Sequence, residues 1–292
     1  MDKTIIIKAS GEKVQFSSDK LRKSLHRSGA IDETINEIIS EVESQVFEGI
    51  TTKKIYQIAF GLLKKLTKPF AAKYKLKQAI MELGPSGFPF EKYIGEILKY
   101  QGFKVKVGEI VKGHCVNHEI DLVAEKDERH FMIECKYHNT SGYTCDVKIP
   151  LYIQARFKDV EKQWMQLPGH KTKFHQGWVV TNTKFSSDAI QYGLCAGLYL
   201  MGWDFPKGAS LSEQIDNSGL YPITCLTALT AREKQLLLES KIVLCKELCN
   251  NSKLVSIAEI SSQRIYLIMN EADALCKNVH LTAITNEVAE RQ

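Results

Sequence analysis

The 292-residue sequence contains no apolar run near the ~20 residues that a membrane-spanning helix needs. Its N-terminus, MDKTIIIKASGEK, holds an apolar stretch too short for a signal peptide. It carries no internal repeat, low-complexity tract or long linker. The eight cysteines follow no dense spacing framework, which excludes a disulfide scaffold and fits reduced thiols in the cytoplasm. Charge of either sign is not in large excess: the formal net charge is +5.

What is present is unevenly spread. Residues 1–82 hold 15 Lys/Arg against 10 Asp/Glu, so the whole surplus lies there. Residues 53–77 alone hold eight lysines and no acid. Such a run is either a solvated helix face or a place for phosphates. Hydrophobic content of 44% and a length of 292 residues allow two or three domains, each with a core.

The chain opens as a β-ribbon. Ile5 and Ile7 alternate with polar neighbours, Ser10-Gly11-Glu12-Lys13 supplies a turn, and Val14 and Phe16 alternate again. Ser18-Asp19 offers a helix cap ahead of Leu21 and Leu25. A second helix is expected over 32–47, with Ile35, Ile38, Ile39, Val42 and Val46 on one stripe. Thr51 or Thr52 caps a third, Lys68-Pro69 breaks it, and a fourth spans 71–83. Gly84-Pro85-Ser86-Gly87-Phe88-Pro89 is the clearest boundary. Beyond it, a helix over 90–100 precedes extended segments at 103–107, 119–124 and 131–137. Helices at 151–165 and 186–195 then alternate with strands at 177–181 and 198–201, an α/β pattern. Trp178, Tyr199 and Trp203 read as core. From Pro222 the pattern is only helical, over 231–240, 242–249 and 261–276.

The chemistry concentrates in HEIDLVAEKDERHFMIECKYHN, residues 118–139. Two readings compete. Cys115 with His118, and Cys135 with His138, make two CxxH pairs that could ring a zinc ion. Strand alternation argues against this, because Cys135 and His138 fall on opposite faces. The same alternation puts Glu134 and Lys136 on one face. A turn at 125–129 would bring Asp121 beside Glu134 across a hairpin. Two carboxylates and an adjacent backbone carbonyl suit Mg²⁺, a hard cation. Lys136 beside them could position or deprotonate an attacking water, or neutralise phosphate charge. Glu96, on the preceding helix, would complete the acidic set.

Two resemblances join these parts. IIIKASGEKVQFSSDKLRKSLHRSGA, GITTKKIYQIAFGLL and AAKYKLKQAI resemble the ATP-cone, the nucleotide-binding regulatory domain of ribonucleotide reductases and their repressor. That resemblance implies ATP or dATP at Lys8, Lys20, Thr52, Tyr56 and Lys77. The sequence departs from the cone pattern at Ala9, where an arginine is usual, and at Tyr56, where a histidine is frequent. FEKYIGEILKYQGFKV, HEIDLVA, MIECKYHN, WVVTNTKFSSDAI and LYLMGW resemble the Mrr-like branch of the PD-(D/E)XK restriction endonucleases. This implies a DNA endonuclease with Asp121 and Glu134 as metal ligands, Lys136 at the nucleophile, and Gln154 as a polar residue near the site. Asn182, Lys184 and the polar loop 138–148 either touch DNA or simply connect elements.

The expectation is a multidomain α/β protein. A mostly helical ATP-cone with a β-ribbon occupies 1–83, a restriction-endonuclease-like domain with a mixed sheet 84–221, and a helical segment 222–292. That last segment faintly resembles helix–hairpin–helix repeats, but lacks their glycines and is not basic, so packing or dimerisation is as good a role as DNA contact. The implied function is nucleotide-regulated, Mg²⁺-dependent cleavage of DNA by a cytoplasmic homo-oligomer. The rival is a nucleotide-sensing DNA-binding protein with an inactive nuclease fold.

Overall fold

A computed structural model describes residues 4–166 and 174–277. The chain divides into two compact units. One, the terminal unit, joins residues 1–82 to 219–292; the other, the central unit, is residues 83–218.

The terminal unit begins with the antiparallel ribbon β1 (Ile5–Ile7) and β2 (Lys13–Gln15). Helices α1 (Ser18–Arg27), α2 (Asp32–Gln45) and α3 (Thr52–Leu66) follow. Ser17 caps α1, one residue earlier than expected, and Thr51 caps α3 by accepting from the Lys54 amide at 3.2 Å. The expected fourth helix is two short ones, α4 (Lys68–Tyr74) and α5 (Leu76–Met81). The third helix ends at Leu66, as the break at Lys68-Pro69 predicts, and Pro69 sits in the first turn of α4, where its missing N–H is not needed. Leu25, Ile35, Ile38, Val42, Ala59 and Leu63 form the core of this part. Each large apolar side chain buried there contributes roughly 1.5–3 kcal/mol.

The central unit begins with α6 (Phe88–Tyr100). A mixed sheet carries it, in the order β3 (Lys104–Lys112), β4 (Asn117–Lys126), β5 (Arg129–Lys136), β7 (Phe174–Thr181), β9 (Tyr199–Met201). The first three are antiparallel and the last three parallel. The β4–β5 turn has only two residues, Asp127 and Glu128, both at positive φ (52° and 60°). That is the twist a two-residue hairpin requires. β6 (Thr144–Cys145) pairs with β8 (Lys184–Phe185) in a small parallel ribbon. α7 (Lys148–Trp164), α8 (Ser187–Cys195) and α9 (Leu211–Ser218) complete the unit.

Glycines mark where two helices meet the sheet, and at Gly177 the contact is too close for any other residue to fit without a neighbour shifting. A Cβ at Gly95 of α6 would meet Leu122, Val105 and Val107 at 3.5–3.7 Å. A Cβ at Gly177 of β7 would lie 2.9 Å from Leu198 and 3.2 Å from Phe157 of α7. Since Leu122 pairs with Ile133 and Met132 with Gly177, α6 and α7 cover opposite faces. Trp203 is buried as expected, whereas Trp178 and Tyr199 are half-buried and pack on each other.

The chain then returns to the terminal unit with α10 (Ala231–Glu239), α11 (Cys245–Asn250) and α12 (Ser262–Lys277). This segment does not form a compact unit by itself but packs with the cone. Thr224 Oγ1 donates to the Ala79 carbonyl at 2.6 Å, and Lys75 and Lys234 both reach Glu82 Oε2, at 2.7 and 3.5 Å.

Candidate active site

β4 and β5 pair Leu122 with Ile133, so Asp121 comes opposite Glu134 one step further along. The Cys135 amide donates to Asp121 Oδ2 at 2.7 Å and fixes that side chain across the strands. Asp121 Oδ1 is the oxygen left to offer a cation. Lys136 Nζ is 2.7 Å from Glu134 Oε1, as two residues apart on one strand face permits. Asp121, Glu134 and Lys136 are therefore brought together.

Arg156 of α7 joins them. Its Nη1 lies 2.6 Å from Glu134 Oε2, and its Nη2 donates to the Glu119 carbonyl. Glu134 thus carries a cation on each oxygen, with only 5% of its surface exposed. Glu91 of α6 is the other acid of the site. Burial, then the charges of Asp121, Glu134 and Glu119, push its carboxyl up to about 7. Burial and the Glu134 charge push Asp121 up to about 6, against the Cys135 amide, Lys136 and Arg156. Carboxylates that repel one another in this way fit a divalent cation, whose charge relieves the repulsion. Among the described residues no three His, Cys, Asp or Glu side chains group as a metal cluster. Mg²⁺ needs none, since it commonly takes one or two carboxylates and fills its shell with water and phosphate.

Two expected residues lie elsewhere. Glu96 bonds to Lys99 at 2.8 Å, three residues on along α6. Five positions from Glu91, it is turned about 140° around the helix. Gln154 donates to the Ala196 carbonyl at 3.3 Å, two positions and about 200° from Arg156. Sequence reasoning missed Arg156 and Glu91. A signal for Arg156 existed: an arginine between the buried Ile153 and Phe157 calls for a buried partner.

The strand exit is braced from behind. Thr181 Oγ1 donates to the Lys136 carbonyl at 2.7 Å. Asn182 accepts from the His138 amide at 2.9 Å and donates to the His138 carbonyl at 2.6 Å. Buried in this clamp, Asn182 has a structural task, and Lys184 pairs with Asp204.

The zinc reading fails on geometry. Cys135 is buried in the core, while the exposed Cys115 donates its amide to Asp159 Oδ1 at 2.8 Å. His118 Nε2 lies 2.8 Å from Asp159 Oδ2, holding that carboxyl well below the usual range together with the Cys115 and Val116 amides. The His138 ring stacks on Tyr143 instead. Cys115 and His118 close a turn around Asp159, and the two CxxH pairs do not converge.

In the terminal unit, Ile7 bridges to Thr51, the N-cap of α3, and Thr52 is the first residue of that helix. Lys8 Nζ lies 2.8 Å from Glu12. Lys20 stands in the first turn of α1, and Lys77 is exposed on α5. Tyr56 stacks with Phe60 and Tyr74, and its buried hydroxyl has no hydrogen-bond partner among the described residues. Burial, then the neighbouring Tyr74, pushes that hydroxyl above the usual phenol range.

Three family models match the chain: the ATP cone domain over residues 4–79, the restriction endonuclease domain over 84–201, and the C-terminal domain of AF1548-like proteins over 221–276. A relative from Archaeoglobus fulgidus, an uncharacterized protein, is 44% identical over 133 residues, covering 46% of this chain and 71% of its own length. The crystal structure of a protein of unknown function, AF1548, is similar with a TM-score of 0.55 and 32% identity, over 66% of this chain and 100% of that one. No helix among the described residues is long and apolar enough to cross a membrane.

Proposed function

The chain belongs to the AF1548-like proteins, here with an ATP cone ahead of a restriction-endonuclease domain, and from that premise we propose that it is a nucleotide-regulated, Mg²⁺-dependent DNA endonuclease. The observation that carries this reading is the meeting of Asp121, Glu134 and Lys136 at the end of one hairpin. Asp121 and Glu134 hold the metal. When bound, Mg²⁺ supplies charge neutralisation at the phosphate and lowers the pKa of a bound water. Lys136 positions the attacking water and offsets charge on the scissile phosphate. Arg156 orients Glu134, and Glu91 adds negative charge near the metal.

The cone takes ATP or dATP at Lys8, Lys20, Thr52, Tyr56 and Lys77. Lysines provide point charges for a triphosphate, and the first turn of α3 adds backbone N–H groups that favour anions. Bound nucleotide changes oligomeric state or domain packing and so gates cleavage. The packing of α10–α12 with the cone supports a part for that segment in the response. Eight free thiols suit a cytoplasmic setting.

Plasmid cleavage with Mg²⁺, comparing the wild type with Asp121→Ala and Lys136→Ala, tests the enzyme. Metal-dependent nicking that both changes abolish supports it, and no cleavage of any DNA, modified DNA included, sinks it. Calorimetry with ATP and dATP tests the cone. A titration without heat, and no protection against unfolding, overturns that part.

A further inference from the structure

We propose that the central unit takes its DNA as unpaired nucleotides, with bases stacked on Tyr143 and Tyr152 near the Glu134–Lys136 pair. This rests on the nuclease reading above and names the substrate class.

Both tyrosines are open to solvent, at 60% and 57% exposure. Each is backed by a residue that touches or adjoins the site. The Tyr143 ring lies 5.0 Å from the His138 ring at an interplanar angle of 11°. His138 stands two residues beyond Lys136, and the Asn182 clamp holds its backbone. The Arg156 guanidinium lies 5.4 Å from the centre of the Tyr152 ring, and the same group bonds to Glu134. Tyr152 is thus one contact away from Glu134, Tyr143 is one contact away from a residue two positions beyond Lys136, and both rings are more than half exposed. A phenol with a supported inner face is a ready platform, because every base has a π-face to lay on it.

Charge points the same way. Grip on duplex DNA is dominated by Lys and Arg neutralising phosphates. The central unit has no surplus for this: residues 83–218 hold 16 Lys/Arg and 16 Asp/Glu. At the site, Arg156 is engaged by Glu134 and Lys184 by Asp204, which leaves Lys136 for the scissile phosphate alone. Stacking supplies the affinity that the charge balance withholds. Stacking on one side chain is worth about five- to a hundredfold in affinity per base.

The test is binding of a 2-aminopurine-bearing oligonucleotide to the full-length chain in EDTA, where nothing is cut. Stacking quenches 2-aminopurine fluorescence. The expected result is a quenched single strand bound about tenfold more tightly than the matching duplex. Tyr143→Ala and Tyr152→Ala each weaken that binding about tenfold and lose quenching, while Tyr143→Phe and Tyr152→Phe retain both. Duplex bound as tightly as the single strand, or alanine variants binding like the wild type, overturns the proposal. The two readings fail separately. A chain that stacks bases in EDTA but cleaves nothing with Mg²⁺ leaves stacking standing and removes the nuclease. A chain that cleaves duplex and ignores both alanine changes does the reverse.

Discussion

In the central unit Glu134 lies between Lys136 and Arg156; in the terminal unit Glu82 lies between Lys75 and Lys234. Each is one carboxylate held by two cations, yet the surroundings differ. Around Glu134 stand further acids, Asp121 and Glu91, both pushed up by burial and by negative neighbours. Around Glu82 the donors are used up. Lys75 and Lys234 both also reach the Thr224 carbonyl, at 3.4 and 2.8 Å, and Gln78 takes the other Glu82 oxygen. A cluster with excess negative charge invites a cation. A cluster whose groups are all bonded ties segments together, here residues 75–82 to 224–234. Buried ion pairs are thus not evidence of a site; the unsettled charge around one of them is.

The largest effect should come from emptying the central cluster. Asp121→Ala or Lys136→Ala is expected to lower Mg²⁺-dependent plasmid cleavage by about 10³-fold, in the range for losing a general base or its equivalent. EDTA should do the same to the wild type. Melting temperatures near that of the wild type would show that chemistry, not folding, was lost. Arg156→Ala comes next. It strips one oxygen of a buried carboxylate, with an expected cost of about 1–3 kcal/mol in stability. Cleavage should fall about 10- to 100-fold through a displaced Glu134. An unchanged cleavage rate would make Arg156 a purely structural partner and blur the contrast with Lys234.

Lys234 sharpens the other side. Burial, then Lys75, lowers its ammonium to about 8 from an ordinary 10.5, against the pull of Glu82. The folded state therefore holds this proton less tightly than the unfolded state. Between pH 8 and pH 10.5 the unfolded chain binds more protons, so stability rises with pH through that window. Lys234→Met should lose this rise. Urea unfolding of both proteins at pH 7.5 and pH 9.5 should show the wild type gaining about 2 kcal/mol more than the variant. DNA cleavage by the variant, without added nucleotide, should match the wild type. Equal pH responses would mean that Lys234 titrates normally.

The sequence made the hairpin site legible because strand period is rigid. A two-residue alternation put Glu134 with Lys136 and turned Cys135 inward, and Asp121 followed from the turn. It also marked the β-ribbon and the first three helices of the cone, where caps and apolar stripes agree. Arg156 was not legible as a partner of Glu134, because 21 residues separate the helix residue from the strand residue it meets. Nor was the union of residues 219–277 with the cone, which depends on contacts such as Thr224 with Ala79, 145 positions apart. Long-range pairing of that kind leaves no local period to read.

The smallest effect tests which carboxylate of α6 belongs to the site. A helix's own pattern defines its apolar face but not which turn meets a neighbour's charge. Here Gly95 marks the face: it points at Leu122, Val105 and Val107 of the sheet. Glu91 sits four positions before Gly95 and shares its face, whereas Glu96 is the next residue and turns about 100° away to Lys99. Glu96→Gln should therefore leave cleavage within about twofold and cost under about 0.5 kcal/mol, as for an exposed helix pair. Glu91→Gln should lower cleavage by about tenfold or more and raise the Mg²⁺ concentration needed for half-maximal rate, since it removes a negative charge beside Asp121. Reversal of that order would move the acidic set one and a half turns along α6, and with it the metal.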